Sequence, residues 1–272
     1  SYLERVGHKC TIWIHSLKGV DEGSTPSIYQ RNKICSHFIK VDARVFLLGG
    51  RTEDLDSISG DVCIATDRMS VYPVLGMKNF LIRSYFIQDY EPSFFPVGSE
   101  YIFTKNTYSS KNKFLCICAS VWLAQMMRKR YGNKSVSFSL AVDHKVYTPC
   151  NPNEKIDGQI AFYVRRSTPR RLFALGLLAL HELYASGARF SLAIFGEDNT
   201  PNLNLPVKMK YLGVLSPDQL RNVYAQSHVG LVLSGTNYSL IPNEMMAVGL
   251  PVVDIDGDHT RTSYEADSAF LS

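Results

Sequence analysis

Short apolar runs alternate with amphipathic stretches along the second half of the chain. The runs of strand length are residues 160–164, 190–195, 209–212, 230–233 and 250–253. Between them, residues 169–185 and 217–225 carry apolar positions at the spacing of one helical face. Strands that alternate with helices in this way predict a parallel, doubly wound sheet.

The first half of the chain shows a weaker alternation of the same kind. It predicts strands at residues 10–14, 45–48, 61–66, 85–90, 114–118 and 135–140, and helices at residues 69–77, 98–107 and 121–131. Residues 17–40 and 150–158 are rich in turn-forming residues and lack any such pattern, and the second of these stretches predicts a hinge. We therefore predict two domains, residues 1–149 and residues 150–272.

Residues 229–256 are the most informative stretch and read VGLVLSGTNYSLIPNEMMAVGLPVVDID. They predict a buried strand, a polar loop, a short helix and a second strand. Pro242 suits the first position of the helix, since its missing N–H has no acceptor there, and Gly249 suits the left-handed residue that ends it. A loop that leaves a buried parallel strand and enters a helix lies where open α/β sheets bind ligands.

This loop and helix start offer groups that could hold a ligand. The free N–H groups near Ser239, Leu240 and Ile241 suit a phosphate. Glu244 falls in the first turn of the predicted helix. It is either a surface residue that the helix dipole favours or a carboxylate that accepts hydrogen bonds from sugar hydroxyls.

Arginines surround the start of the helix that is predicted to begin at Pro169. They are Arg165, Arg166, Arg170 and Arg171. Cations at a helix start oppose the helix dipole, so local folding does not explain them. Guanidinium groups bind diphosphate oxygens in pairs, which favours an anion in the crevice over the alternative of a solvated basic turn.

The motif S-x-T-N-Y-S-L-x-P-x-E-M-M-A-x-G-L-P-V-V-D, from Ser234 to Asp254, resembles the sugar-nucleotide site of GT-B glycosyltransferases. It is most similar to the large retaining family marked by two glutamates that are separated by seven residues. Within that family it resembles bacterial rhamnosyltransferases of surface-polysaccharide and S-layer glycan assembly. Glu244 matches the second glutamate, and Thr236 stands where the first would fall.

The resemblance implies an α/β GT-B fold with two Rossmann-like domains that face each other across a cleft. Residues 141–149, AVDHKVYTP, resemble the segment that links these domains. The resemblance further implies that the N-terminal domain is incomplete, without its first βα unit, and that the C-terminal helices of the second domain are missing.

The resemblance also implies the chemistry. A sugar, such as rhamnose or another deoxyhexose, would pass with retention from a nucleoside-diphosphate donor to a glycan acceptor. The residues expected to act in catalysis are Arg165, Arg170 and Glu244. The expected donor contacts are Arg171, Asn237, Ser239, Leu240, Ile241, Val214 beside the nucleobase, and Gln88 near the sugar, with Asp89 expected to position the acceptor. No cofactor besides the donor substrate and no metal is expected, and Asp254-x-Asp256-x-Asp258 is read as a loop, not as a metal-binding D-x-D.

Charge and cysteine content indicate which ligands and which cellular compartment to expect. The net charge of +4 and the pI of about 8.6 fit a polyanionic ligand, and no Lys/Arg run indicates nucleic acid. None of the six cysteines forms a C-x-x-C pair, so we expect reduced core cysteines in a cytoplasmic protein. The expected partners are a nucleotide sugar and a glycan or lipid-linked oligosaccharide acceptor. Peripheral association with the inner face of the membrane is compatible with the mild basicity.

Two other functions stay open at the level of sequence. A nucleotide-sugar epimerase of the same architecture would need acid and base residues in the cleft, and the sequence offers no convincing set. A non-catalytic module that binds or assembles glycans is compatible with Thr236 in place of the first glutamate.

Overall fold

The computed structural model describes residues 2–15, 43–48, 55–149, 155–199, 202–264 and 269–271. The chain divides into two compact units, Ser1–Tyr85 and Phe86–Ser272. The predicted irregular stretch 17–40 and most of the predicted hinge lie outside the described residues. The domain boundary at residue 149 stays a prediction.

The first unit is built from parallel strand pairs. Its elements are α1 (Tyr2–Arg5), β1 (Thr11–His15), β2 (Arg44–Leu48), β3 (Ser59–Ala65), α2 (Arg68–Gly76) and the start of β4 (Asn79–Ile87). β1 pairs with β2 and β3 pairs with β4, both in parallel. Asp67 begins α2, because its carboxylate accepts a hydrogen bond from the N–H of Ser70 at 2.7 Å.

The second unit opens with a small parallel pair and its helices. Its first elements are a 3₁₀ turn (Glu91–Phe94), α3 (Ser99–Thr107), a 3₁₀ turn (Ser110–Asn112), β5 (Leu115–Cys118), α4 (Val121–Tyr131) and β6 (Ser135–Ser137). β5 pairs with β6 in parallel. Cys116 and Cys118 are buried on β5, as expected for core cysteines.

A six-stranded parallel sheet forms the rest of the second unit. Its elements are β7 (Gln159–Tyr163), a 3₁₀ turn (Pro169–Arg171), α5 (Phe173–Ala185), β8 (Ser191–Phe195), β9 (Lys208–Tyr211), α6 (Pro217–Gln226), β10 (Val229–Leu231), α7 (Leu240–Ala247), β11 (Val252–Asp254), α8 (Asp258–Arg261) and β12 (Phe270–Leu271). The strand order is β12-β11-β10-β7-β8-β9, and every pairing is parallel. Within the described residues, no helix has both the length and the apolar character needed to cross a bilayer.

Helices cover both faces of this sheet. Ile160 and Phe162 of β7 face one apolar cluster, whereas Ala161 between them faces another, as the two-residue period of a strand requires. α5 contributes Leu180 to the first cluster, and α7 contributes Met245 to the second. The predicted doubly wound α/β architecture is confirmed for this sheet.

Strand order reverses between β7 and β10. From β7 the chain builds β8 and β9 on one side, and it then returns to place β10, β11 and β12 on the other side. The loops after β7 and β10 therefore leave the same edge of the sheet from neighbouring strands and turn in opposite directions. Such a reversal opens a crevice at the carboxyl ends of the strands, which is where open α/β sheets bind ligands.

Two helix starts differ by more than one residue from those that the sequence predicts. The helix expected at residues 169–185 is broken at Leu172, whose φ is +47°, so that a 3₁₀ turn precedes α5. α7 begins at Leu240 instead of Pro242, because Ser239 caps it by accepting a hydrogen bond from the N–H of Ile241 at 3.4 Å. The helix therefore starts closer to the end of β10, and Gly249 still follows it with a φ of +86°.

Candidate functional site

Residues 234–239, the switch loop, follow β10 and are held by buried polar contacts. The side chain of Asp254, which is fully buried, accepts hydrogen bonds from the N–H of Ser234 and from the hydroxyl of Tyr264, each at 2.8 Å. A ring nitrogen of His259 contacts the carbonyl of Ser234. Burial raises the pKa of Asp254, and these hydrogen bonds oppose the rise. Several elements therefore fix the loop.

Residues 165–171, the arginine turn, follow β7 and touch the switch loop directly. The N–H of Gly235 donates a hydrogen bond to the carbonyl of Arg170 at 2.8 Å. A guanidinium nitrogen of Arg171 lies 3.4 Å from the hydroxyl of Ser234. The two segments that the sequence predicts to face an anion thus lie side by side at the point where strand order reverses.

The arginines of this turn have different surroundings. Arg165 is exposed to solvent. Arg166 pairs with Glu197 at the end of β8, with its Nε 2.7 Å from the carboxylate. Arg171 is half-buried, and the loss of water around its guanidinium lowers its pKa. Arg165 therefore reaches solvent at the crevice edge, whereas Arg166 is engaged by a neighbouring strand end.

Arg170 pairs with Asp89, a residue that follows β4. Its Nε lies 3.2 Å from Asp89 Oδ2, and its guanidinium lies 4.2 Å from the centre of the Phe94 ring. The other carboxylate oxygen of Asp89 accepts hydrogen bonds from the N–H of Tyr90 at 2.8 Å and of Asn237 at 2.9 Å. Asp89 therefore joins the segment after β4 to both the arginine turn and the switch loop.

Two buried side-chain oxygens of the switch loop have no hydrogen-bond partner among the described residues. They are Oγ1 of Thr236 and Oδ1 of Asn237, on residues that are 7% and 3% exposed. The Asn237 amide nitrogen, in contrast, donates to the carbonyl of Gln88 at 2.9 Å. A buried acceptor without a partner costs roughly 1–3 kcal/mol, which a ligand hydroxyl would offset.

Glu244 lies on α7 and is buried, so the interpretation as a surface residue is wrong. Its neighbours include the hydroxyls of Tyr147 and Tyr224. Burial raises the pKa of Glu244, and these hydroxyls oppose the rise by favouring the carboxylate. Its Oε2 has no hydrogen bond of good geometry to any residue of the described ranges.

The remaining predicted contacts are divided between two places. Ser239 is buried at the start of α7, beside Leu240, which is partly exposed, and Ile241, whose N–H is capped. Val214 follows β9, two strands from β7, and its N–H donates to the carboxylate of Asp198 at 3.2 Å. The first three residues thus continue the switch loop into α7, whereas Val214 lies after another strand of the same sheet.

Two of the acidic residues near the end of β11 bind other residues of the chain. Asp254 holds the switch loop, and Asp256 pairs with Arg261. Across the residues that the structure describes, no group of three His, Cys, Asp or Glu side chains could hold a metal ion. Asp254 ends β11 and Asp258 begins α8, and the expectation that this segment binds no metal stays a prediction.

Sequence reasoning missed the junction at Asp89 and the supporting role of Asp254. Asp254 ends β11, the strand next to β10, so the rule that parallel strands share a carboxyl edge could have identified it. Asp89 gave no comparable signal, because its partners Arg170 and Asn237 lie 81 and 148 positions further along the chain.

Comparison with known proteins agrees with this architecture. Residues 158–265 match the family model described as WsaF, C-terminal domain. The chain is 30% identical over 215 residues to the O-antigen biosynthesis protein RfbC of Myxococcus xanthus, an alignment that covers 78% of this chain. The chain spans only 17% of the length of that curated relative.

Solved structures resemble the chain over most of its length. A glycosyltransferase from Rickettsia africae has a TM-score of 0.64 at 16% identity, covering 99% of this chain and 77% of that one. The pneumococcal O-GlcNAc transferase GtfA, in complex with UDP and GlcNAc, has a TM-score of 0.58 at 14% identity, covering 81% and 47%. These similarities show the fold, which is that of GT-B glycosyltransferases and confirms the prediction from sequence.

Proposed function

We propose that this chain carries the donor site of a glycosyltransferase, which moves a sugar from a nucleoside diphosphate to a glycan acceptor. The observation that carries the proposal is the contact between the arginine turn and the switch loop at the reversal of strand order, made by Gly235 and Arg170. Cations and helix-start N–H groups meet there, and both favour a diphosphate.

The proposed mechanism is electrostatic. When the bond from the sugar to the diphosphate breaks, negative charge develops on the leaving phosphate. Arg165 and Arg170, together with the backbone N–H groups of Ser239 and Leu240, would stabilise this charge in the transition state. We propose that these groups serve where other transferases use a metal ion, so that the reaction needs no metal and no cofactor besides the donor.

The unpartnered acceptors suit the hydroxyl groups of the donor. Thr236 Oγ1 and Asn237 Oδ1 lie in the switch loop, and we assign them to hydroxyls of the transferred sugar. Oε2 of Glu244 is another buried acceptor without a hydrogen bond among the described residues, and we assign it to the ribose. Each such hydrogen bond would satisfy an oxygen that the protein leaves without a partner.

The nature of the sugar and acceptor rests on resemblance. The Myxococcus xanthus relative is named for O-antigen biosynthesis, and the GtfA structure contains UDP and GlcNAc. We propose a surface polysaccharide as the acceptor, rhamnose or another deoxyhexose as the sugar, and transfer with retention. The anomeric configuration of the product, measured by NMR, tests retention, and an inverted product would overturn that part.

Calorimetric titration tests the donor site. The chain should bind at least one of UDP, GDP and dTDP, and Arg165→Ala or Arg170→Ala should weaken that binding roughly tenfold to a hundredfold. Arg189→Ala is the matched control, because exposed Arg189 precedes β8 at the opposite edge of the sheet. If both site variants bound as tightly as the unmodified chain, the proposed site would be wrong.

Incubation with the donor alone separates transfer from epimerisation. A glycosyltransferase leaves the donor largely intact until an acceptor is added, whereas an epimerase converts it. A module that only binds glycans would give no heat with any nucleoside diphosphate. Conversion of the sugar without an acceptor would therefore replace the proposed function with epimerisation.

A further inference from the structure

A carboxylate of the protein, that of Asp89, lies at the proposed phosphate site. The carboxylate of Asp89 faces one guanidinium, that of Arg170, and two backbone N–H groups, those of Tyr90 and Asn237. Guanidinium and backbone N–H groups are the donors that bind phosphate oxygens in proteins. Asp89 therefore occupies the kind of position that a diphosphate oxygen would take.

We propose that Asp89 competes with the donor diphosphate for Arg170 and for the N–H of Asn237. This inference rests on the proposed function, and it adds that donor binding and the attachment of residues 88–94 influence each other. A bound diphosphate would displace the carboxylate, and with it the segment 88–94, from the arginine turn and the switch loop. Donor binding would thereby change how that segment is held.

The geometry of the pair suits displacement. Arg170 and Asp89 keep 30% and 12% of their side-chain surfaces exposed, so a ligand can approach the guanidinium. The Nε of Arg170 lies within ion-pair distance of Asp89 but makes no hydrogen bond of good direction within the described residues. Because Asp89 is buried, a ligand must replace its carboxylate without leaving the guanidinium unpaired, and a diphosphate can do so because it carries more negative charge than one carboxylate.

Segment 88–94 also contacts the switch loop and the arginine turn through residues other than Asp89, so that displacement of the carboxylate would affect these contacts as well. The amide nitrogen of Asn237 donates to the carbonyl of Gln88, and the Phe94 ring lies under the Arg170 guanidinium. Arg170 therefore contacts two residues of this segment, Asp89 and Phe94. Both contacts connect the segment to residues that we assign to the donor.

The test is a double-mutant cycle read by nucleotide affinity. Asp89→Asn removes the charge but keeps an oxygen that accepts from Tyr90 and Asn237. We expect it to lower the Kd for UDP, GDP or dTDP roughly three- to tenfold. In the Arg170→Ala background, the same substitution should leave the Kd unchanged, because the contested cation is gone.

A matched control separates competition from a general loss of negative charge. Glu197→Gln removes a carboxylate from Arg166 at the neighbouring strand end. It should leave the Kd unchanged, since Arg166 is not assigned to the donor. Thermal unfolding of each variant checks folding, and Asp89→Ser provides a second way to remove the competing anion.

The outcomes distinguish this inference from the proposed function. If the unmodified chain binds a nucleoside diphosphate but Asp89→Asn and Asp89→Ser bind it no tighter, the competition is wrong and the donor site stands. Equal tightening in the Arg170→Ala background would also overturn the competition. If neither the unmodified chain nor the Asp89 variants bind UDP, GDP or dTDP, both proposals fall together.

Discussion

Single residues decide how firmly the switch loop is held, and Asp254 is the central one. Tyr264 is its side-chain hydrogen-bond donor, at 2.8 Å. Tyr264→Phe would leave the buried Oδ2 without that bond, so the free energy of unfolding in urea should fall by about 1–3 kcal/mol. Tyr184→Phe, on an exposed position of α5, should change it by less than about 0.5 kcal/mol. Equal values for the two variants would contradict the role of Tyr264.

The raised pKa of Asp254 predicts a particular pH dependence of stability. Because the folded chain holds this proton more tightly than the unfolded chain, the contribution to stability is complete at acid pH. It is lost as the pH rises from the ordinary range of aspartate through the raised pKa. Asp254→Asn does not ionise, so its free energy of unfolding should fall less than that of the unmodified chain between pH ~4 and pH ~8.

Asp256 provides a control, because its pKa is shifted in the opposite direction from that of Asp254. Its hydrogen bond to Arg261 lowers its pKa, so its contribution is present above the ordinary range of aspartate and is lost as the pH falls. Asp256→Asn should therefore remove a pH dependence on the acid side of the profile and lower the free energy of unfolding by a constant amount above it. If Asp254→Asn followed the same profile as the unmodified chain, burial of Asp254 would not be controlling its proton.

The sequence could predict a site residue where its position relative to the predicted strands and helices is unusual or typical of a binding loop. Arg170 stood out because cations are unfavourable at a helix start, and the switch loop stood out because it joins a buried strand to a helix. The contacts of Asp89 with Arg170 and Asn237 and the burial of Glu244 could not be predicted, because each depends on partners that approach only in the folded chain. Tyr147, for example, lies beside Glu244 although nearly a hundred residues, Thr148–Asn243, separate them.

At the scale of elements, Gly196 allows β7 and β8 to end close together. Its φ is +114°, and an added Cβ would lie 2.6 Å from the carbonyl oxygen of Val164. Gly196→Ala should lower the free energy of unfolding by about 1–3 kcal/mol beyond the cost for Gly187→Ala. Gly187 has a φ of +87° with nothing within 4 Å of an added Cβ, so it isolates the backbone strain. Equal costs in urea unfolding would show that the close approach is unimportant.

Element type was more predictable than element boundaries. The apolar period identified the helix over residues 173–185, but not the break at Leu172, because the break depends on a contact with another segment. The N–H of Gly235 meets the carbonyl of Arg170 at that place. Similarly, the sequence predicted that α7 starts at Pro242. The helix starts two residues earlier, at Leu240, because the side chain of Ser239 caps it.

At the scale of the molecule, the order of strands in the sheet was outside the reach of the sequence. Alternating strands and helices predict a parallel sheet, but they do not say on which side each new strand is added. The return of the chain to place β10 beside β7 creates the crevice. The structure supplies this step, because it shows on which side of β7 each later strand is added.

Occupation of this crevice should stabilise the folded chain in proportion to phosphate content. A ligand that binds only the folded state adds about 2.7 kcal/mol at a hundred times its Kd. At equal concentration, the nucleoside diphosphate should raise the urea midpoint most, then the monophosphate, then the nucleoside, because each phosphate adds charge beside Arg165 and Arg170. Added salt should reduce the differences, since exposed charges are screened over about 10 Å at 0.1 M. Equal stabilisation by nucleoside and diphosphate would mean that the arginine turn does not hold the phosphates.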